Sequence, residues 1–430
     1  MKITLTILLL TLFSVLEGQK ILTVDDAVSI ALKNNFDILV ARNDAEISKV
    51  NNTSGNAGML PGLQVTGSGN YAKNNVHQEL SDGAANSFSG VTSRTLNAGT
   101  QLSWILFDGG KMFVTKNKLN EIEALGEIEF KNKVMQTLFN VIATYYDIVR
   151  QKQELVSINE VIDYNLTRVK IAETGFEAGS LLKTDLLQAK IDLNVNMENA
   201  INQQFTIDAA KKSLSGLLGQ DANSLFEVSD SIPLIYSPDQ NDLIQKLNSS
   251  NTNILAFQKQ IEIAELGVKE FNSSYLPRVN LSTGYYFSQS NNPASSITQN
   301  RSVGPQLGGS VVIPIYSSGE NKRKVSSAKI QLQSAEYDLQ NIKLQVNTEL
   351  LNALKGFENQ QKLISIERAN NELSKENIEI CLQRLKLGQS TSLEVHQAQD
   401  NYVQSSTRLI NFQYNLKVAE IKLKQLISTL

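Results

Sequence analysis

The sequence predicts a mixed α and β membrane protein, built as an internal two-fold repeat with four half-apolar strands and very long paired helices. Three observations point there. All seven prolines lie at positions 61, 233, 238, 277, 293, 305 and 314, so 62–232 and 315–430 contain none. Proline breaks a helix interior, and its absence over such lengths leaves room for uninterrupted helix. Four segments alternate strictly between apolar and polar residues, and one order of motifs is written twice along the chain.

The chain opens with Met1-Lys2 and an almost wholly apolar run from Ile3 to Leu16, followed by Glu17-Gly18-Gln19-Lys20. A helix needs ~20 apolar residues to span a bilayer, so this run is too short. It fits the apolar region of a secretory signal, 1–18, with cleavage expected after Gly18, although Leu16 stands where a small residue is usual. No cysteine follows it to carry a lipid anchor.

Asp26-Ala27-Val28 through Asn35-Phe36-Asp37-Ile38 aligns with Asp242-Leu243-Ile244 through Asn251-Thr252-Asn253-Ile254 at an offset of 216, as does Leu60-Pro61 with Leu276-Pro277. Beyond the strands the offset becomes 209. It pairs Phe107-Asp108-Gly109-Gly110 with Tyr316-Ser317-Ser318-Gly319, and Asp185 to Ala189 with Glu394 to Ala398. The seven-residue excess falls between Pro61 and Phe107, a longer loop in the first half. The repeats are 19–218 and 241–430, each reading helix, two strands, long helix, tight turn, helix. The segment 219–240, with Gly219, Pro233 and Pro238, is a linker with one short strand.

The first strand, 63–71, sets Leu63, Val65 and Tyr71 against Gln64, Thr66, Ser68 and Asn70; the second, 96–106, sets Leu96, Leu102, Trp104 and Leu106 against Asn97, Gln101 and Ser103. The second repeat opposes Val279, Leu281, Tyr285 and Phe287 to Asn280, Ser282 and Ser288, then Leu307, Val311 and Ile313 to Gln306 and Ser310. Alternate strand residues face opposite sides, and lengths near ten residues suit a tilted membrane strand of about 9–11. A soluble half-buried sheet would show the same alternation. The polar stretches 81–95 and 288–302 read as connections, and aromatic residues near strand ends suit an interfacial girdle. Four strands cannot close a barrel, because hydrocarbon leaves open edges unpaired; strands that cross a membrane therefore need several copies of the chain.

From Gly110 to Glu173 apolar residues recur at helical spacing, as in Val134, Leu138, Val141, Tyr145 and Ile148. After Gly319 a seam runs Val325, Ala328, Leu332, Ala335, Leu339 and onward to Phe357, beside a second line, Ile330, Tyr337, Leu344 and Leu351, at intervals of seven. Two lines on one helix imply two neighbours. Helices of this length extend about 90–100 Å. Glycines 175, 179 and 388 mark the reversals into return helices 181–218 and 390–428, and segments 25–57 and 241–273 would cover the remaining length.

Composition narrows the chemistry. Lysine plus arginine total 40 and aspartate plus glutamate 43, a net charge of −3 that gives no electrostatic reason to bind nucleic acid. One cysteine, Cys381, and two histidines, His77 and His396, argue against an enzyme and against a bound metal or other cofactor.

Taken in order and in duplicate, these motifs resemble the TolC-type outer-membrane efflux family over essentially the whole chain after residue 18. The carrying residues are Leu60-Pro61 and Leu276-Pro277, the strand ends Leu106 to Gly110 and Ile313 to Gly319, and the hairpin tips Ala178-Gly179-Ser180 to Ala189 and Leu387-Gly388-Gln389 to Ala398. The resemblance implies a homotrimer with a twelve-stranded barrel in outer-membrane lipid, continuous with a periplasmic barrel of helices. It also implies a passive exit duct for efflux or type I secretion, joined by a periplasmic adaptor protein to an inner-membrane pump of the resistance–nodulation–division, ABC or similar type. Acidic rings narrow the family's periplasmic entrance. Glu394 matches the first acidic position and Gln397 the second, where the carboxylate is missing; Asp185 and Gln188 hold the equivalent places in the first hairpin. Asp185 also reads as part of a helix cap, and Glu394 as an ordinary solvated charge. The tips, with Gly179, Ser180, Gly388 and Gln389, are the expected adaptor docking surface. A periplasmic coiled-coil spacer and an uptake porin are the competing readings.

Overall fold

The computed structural model describes residues 21–81 and 83–430; the signal expected at 1–18 lies outside the described residues. In chain order the elements are β1 (Ile21–Leu22), α1 (Val24–Asn34), α2 (Phe36–Asn51), β2 (Gly62–Glu79), β3 (Ala85–Asp108), α3 (Lys111–Glu177), α4 (Lys183–Leu217) and β4 (Glu227–Val228). There follow α5 (Gln240–Ser250), α6 (Thr252–Asn272), β5 (Arg278–Asn291), β6 (Gln299–Val312), α7 (Glu320–Lys386) and α8 (Ser392–Leu426). Both long helices have 67 residues and both return helices 35, so the repeat seen in sequence is a repeat of elements. None of the described helices is long and apolar enough to cross a membrane.

Two compact units cut across the two repeats: residues to 44 with 128–255 and 341–430 form one, and 45–127 with 256–340 the other. The first, all helical apart from a two-stranded pair, has three apolar clusters. In one, Ala27 and Ala31 of α1 pack with Tyr145 and Ile148 of α3 and Leu214 of α4. In its counterpart, Leu243 and Leu247 of α5 meet Leu350 and Leu354 of α7 and Leu423 of α8. The third joins Ile378, Leu382 and Leu385 of α7 to Val395 and Ala398 of α8. Parallel strands β1 and β4 pair through Ile21 with Glu227 and Leu22 with Val228. The buried Tyr145 hydroxyl holds this pair, donating to the Leu22 carbonyl at 2.8 Å and accepting from the Ser229 N–H at 3.1 Å.

Each predicted first helix is in fact two, broken at an asparagine. Asn35 leaves helical geometry (ψ 124°), its side-chain oxygen accepts from the Ile38 N–H, and its amide donates to the Leu217 carbonyl at the end of α4. Asn251 repeats all three features, accepting from the Ile254 N–H and donating to the Leu426 carbonyl at 2.8 Å. One side chain thus ends a helix, caps the next and satisfies an orphan carbonyl of a third. Beside the first of these struts Gly219, at φ +65°, passes so close to Asn34 that a Cβ would sit 2.4 Å from its carbonyl oxygen.

The second unit carries an antiparallel sheet in the order β2-β3-β5-β6, with β2 and β6 as open edges. The strands run further than their alternation predicts: β3 begins at Ala85 and β5 and β6 reach Asn291 and Gln299, so much of 81–95 and 288–302 is strand. Glycine and serine made these stretches read as loops, but ladder hydrogen bonds do not require apolar side chains. Cross-strand partners share a face. One face carries Leu63, Leu102, Thr283 and Leu307 in one rung and Gly67, Ala98, Phe287 and Val303 in another. The opposite face, from Gln64 and Gln101 to Ser288 and Ser302, carries no charged residue between the sheet's base at Asp108 and Arg278 and its β-bulge at Asn74 to Val76.

Around this sheet, α2 and α6 both pack on α3. Asn52 hydrogen-bonds Asn120 and Lys259 pairs with Glu121 at 2.7 Å. α6 thus runs along α3, whereas α5 covers α7 through Leu243 and Leu247. The seam from Ala328 to Phe357 is turned inward, but Ile330, Tyr337 and Leu344 remain 65%, 59% and 69% exposed.

Removing the Asn251 amide strands a buried carbonyl and a buried N–H, each worth about 1–3 kcal/mol. Asn251→Ala should lower the midpoint of thermal loss of helical ellipticity more than Asn35→Ala, whose bond to Leu217 is only partly buried. Equal shifts would show that the two struts contribute alike.

Candidate functional site

The hairpin tips repeat atom for atom at the 209 offset. At the first, the Gly179 N–H donates to Phe176 O and the Ser180 N–H to Gly175 O; at the second, Gly388 N–H donates to Leu385 O and Gln389 N–H to Arg384 O. These are the paired bonds of a helix C-terminus closed by a left-handed residue, and both glycines sit at φ +71°. A side chain there would be strained, which is why the sequence puts glycine at both. A cavity of 530 Å³ opens beside the tips, lined by Ile171, Gly175, Leu181, Leu385 and Gly388 with Lys170 and Lys386 at its sides. It touches both glycine turns.

Past each tip the acidic residue occupies the third position of the return helix. Glu394 accepts from the Thr391 N–H while its own N–H donates to the Thr391 hydroxyl, a reciprocal capping box. The Ser390 hydroxyl, donating to the Glu394 carboxylate, and then the Thr391 N–H hold its pKa below the ordinary glutamate value. Asp185 likewise accepts from the Leu182 N–H at 3.2 Å, but Leu182 has no side-chain oxygen to return the bond. The capping reading is thus correct for Asp185, and Glu394 shares it. Glu394 and Gln397 are both exposed, and Gln397 reaches only Asn401 on its own helix. Gln188 donates to Asp192 at 2.8 Å.

Asp192 leads to a residue that reading the sequence missed. Arg168 of α3, 1% exposed, donates to Asp192 of α4 at 2.7 Å and to Ser392 and Gln399 of α8 at 2.9 and 3.2 Å. Gln399 in turn donates to Asn165. His396 lies with its ring nitrogens 3.4 Å from Asp192 and 3.6 Å from Asp400. One guanidinium therefore ties three helices, drawing the start of α8, which carries Glu394, onto the first hairpin. Further along the same helices Tyr402 donates to Glu160; burial, then that carboxylate, keep the phenol protonated far above its usual range. The available signal was positional: Val161, Asn165, Arg168 and Ala172 follow a 4-3-4 spacing, so two polar residues occupy places on a buried stripe. His77 meets only Ser87 of the neighbouring strand, and Cys381 packs against the tip cluster. Among the described residues no group of three or more His, Cys, Asp or Glu could hold a metal ion.

Residues 27–220 and 243–429 match a family described as outer membrane efflux protein, the two matches falling on the two repeats. The chain is 24% identical over 422 residues to the outer membrane efflux protein BepC of Brucella suis, covering 95% of this chain and 86% of that protein. It is 20% identical to the proteases secretion protein PrtF of Dickeya chrysanthemi, over 94% of this chain and 88% of that one. Among solved structures, the outer membrane protein VceC of Vibrio cholerae superposes with a TM-score of 0.76 at 16% identity, over 94% of this chain and 96% of that one.

Arg168→Ala leaves the partly buried Asp192 without its guanidinium and should cost less than the about 3–5 kcal/mol of breaking a fully buried pair. Amide hydrogen exchange should then rise at the start of α8, around 392–399, and not in the paired asparagine struts. Unchanged protection there would remove Arg168 from its tying role.

Proposed function

As this chain belongs to the outer membrane efflux protein family, and so to the outer membrane with a large periplasmic helical portion, we propose that it is a passive exit duct of a tripartite efflux or type I secretion machine. The observation that carries this reading is the sheet. It has two open edges, one apolar face and one uncharged polar face. In hydrocarbon an unpaired edge costs several kcal/mol per group, so strands cross only as closed barrels. Three copies, each giving four strands, would close a twelve-stranded barrel with the apolar face toward lipid and the polar face lining the duct.

The helices support the same homotrimer. Ile330, Tyr337, Leu344 and Leu351 form an exposed line of period seven on α7, and Phe36, Val40, Ile47 and Val50 an exposed apolar line on α2. Such stripes want helical partners, and the fold of one chain does not supply them. At the tips, three copies of Glu394 around an axis would form a single acidic ring, with Gln397 adding hydrogen-bonding groups and no charge. Asp185 and Gln188 frame it from the first hairpin. Gly179, Ser180, Gly388 and Gln389 beside the tip cavity form the surface for a periplasmic adaptor, which links the duct to an inner-membrane pump. Purification from cells crosslinked in vivo would identify both partners.

Conductance separates this reading from a periplasmic spacer or an uptake porin. The purified protein in planar bilayers should pass current with a cation preference that Glu394→Ala sharply lowers, since only Asp185 at the entrance is left to replace its charge. Because its pKa is depressed, the Glu394 carboxylate keeps its charge to lower pH than an ordinary glutamate, and the preference should fade at a correspondingly lower pH. Ser390→Ala removes the leading cause and should move that midpoint upward. Cation preference unaltered by Glu394→Ala would overturn the ring.

The exposed α7 line tests the trimer. Leu344→Glu introduces a charge at a site already solvated in the single chain, so helical content should persist while native mass spectrometry in detergent finds monomers. Intact trimers would assign that stripe another role.

A further inference from the structure

The cations on the strands above their base lie on the apolar face, on three successive same-face rungs that span four residues. Tyr71 pairs with Arg94 and Gly69 with Leu96, Leu96 with Gln289, and Gln289 with Arg301; Lys73, two residues beyond Tyr71, shares their side of the sheet. Arg94 stands over the Tyr71 ring at 5.6 Å and Arg301 over the Phe287 ring at 5.5 Å. All three cations are exposed, and among the described residues none has a carboxylate partner. The one acidic residue on these upper strands, Glu79, is six residues further along β2 than Lys73.

Their height carries the argument. The Trp104–Leu281 rung lies ten residues below the Arg94–Asn291 rung. At ~3.3 Å per residue and a tilt of ~35–45°, ten residues climb about 25 Å, the height of the apolar band of a membrane barrel. Trp104 thus marks one interface, and the three cations sit at the other, at the strand ends remote from the helices.

We propose that Lys73, Arg94 and Arg301 form a binding site for phosphate-bearing lipid headgroups of the external leaflet. The inference rests on the reading of the apolar face as the lipid-facing wall. The cation–π stacking holds each guanidinium at the rim of the band, its donors turned to where headgroup phosphates lie. The matching charge on the lipid makes this narrow band a place where headgroups are retained.

The test uses the full chain after residue 18, reconstituted into nanodiscs of equal phosphatidylcholine and phosphatidylglycerol, with native mass spectrometry counting the lipids retained on release. A cation near an anionic surface contributes about 1 kcal/mol, roughly fivefold. Retained phosphatidylglycerol should therefore exceed phosphatidylcholine by about fivefold or more. The combined Lys73→Gln, Arg94→Gln and Arg301→Gln variant should fall to parity, and Arg94→Lys with Arg301→Lys should keep the enrichment. No enrichment in the unsubstituted chain, or the same enrichment in the triple glutamine variant, overturns the proposal. Loss of the retained lipid to excess inorganic phosphate would overturn its assignment to lipid. Failure of the chain to enter discs of either lipid alone would instead defeat the membrane-wall reading itself.

Discussion

The unpaired backbone edges of the sheet are the constraint on which the proposed reading depends. A four-stranded sheet with edges β2 and β6 satisfies its inner ladders within one chain, and the outward N–H and C=O groups of those edges need partners. Many other features fit that demand. On the proposed barrel reading those edges call for further copies, and the exposed heptad line of α7 offers a surface on which helices could pack around an axis.

Most of the fold was legible because its determinants are local. Proline-free stretches, the glycines at 179 and 388, and the acidic residue six positions past each glycine set the helix ends to within a few residues. What was not legible depended on long-range partners. The breaks at Asn35 and Asn251 follow from carbonyls some 180 residues away, and no local breaker announces them. The upper strands looked like loops because serine, glycine and asparagine were judged by composition, whereas cross-strand pairing continues past the bulge at Asn74 to Val76. Arg168 was overlooked because a single arginine on a long helix resembles a solvated charge until Asp192, Ser392 and Gln399 converge on it.

The site was partly legible too. Glu394 and Asp185 were found through the repeat, and the structure adds their shared capping geometry. It also separates them. Thr391 returns the hydrogen bond that Leu182 cannot, and Ser390 adds a donor to Glu394. The second hairpin thus holds its carboxylate more firmly than the first, in keeping with their different proposed parts.

The twin asparagine struts have a bearing on how such a chain can change over time. Each half is fastened at its root by the same device, so the root tolerates little variation, while the far turns carry different residues on an identical backbone. A duplicated ancestor built this way can rewrite one tip without disturbing the other. Its two copies are free to specialise.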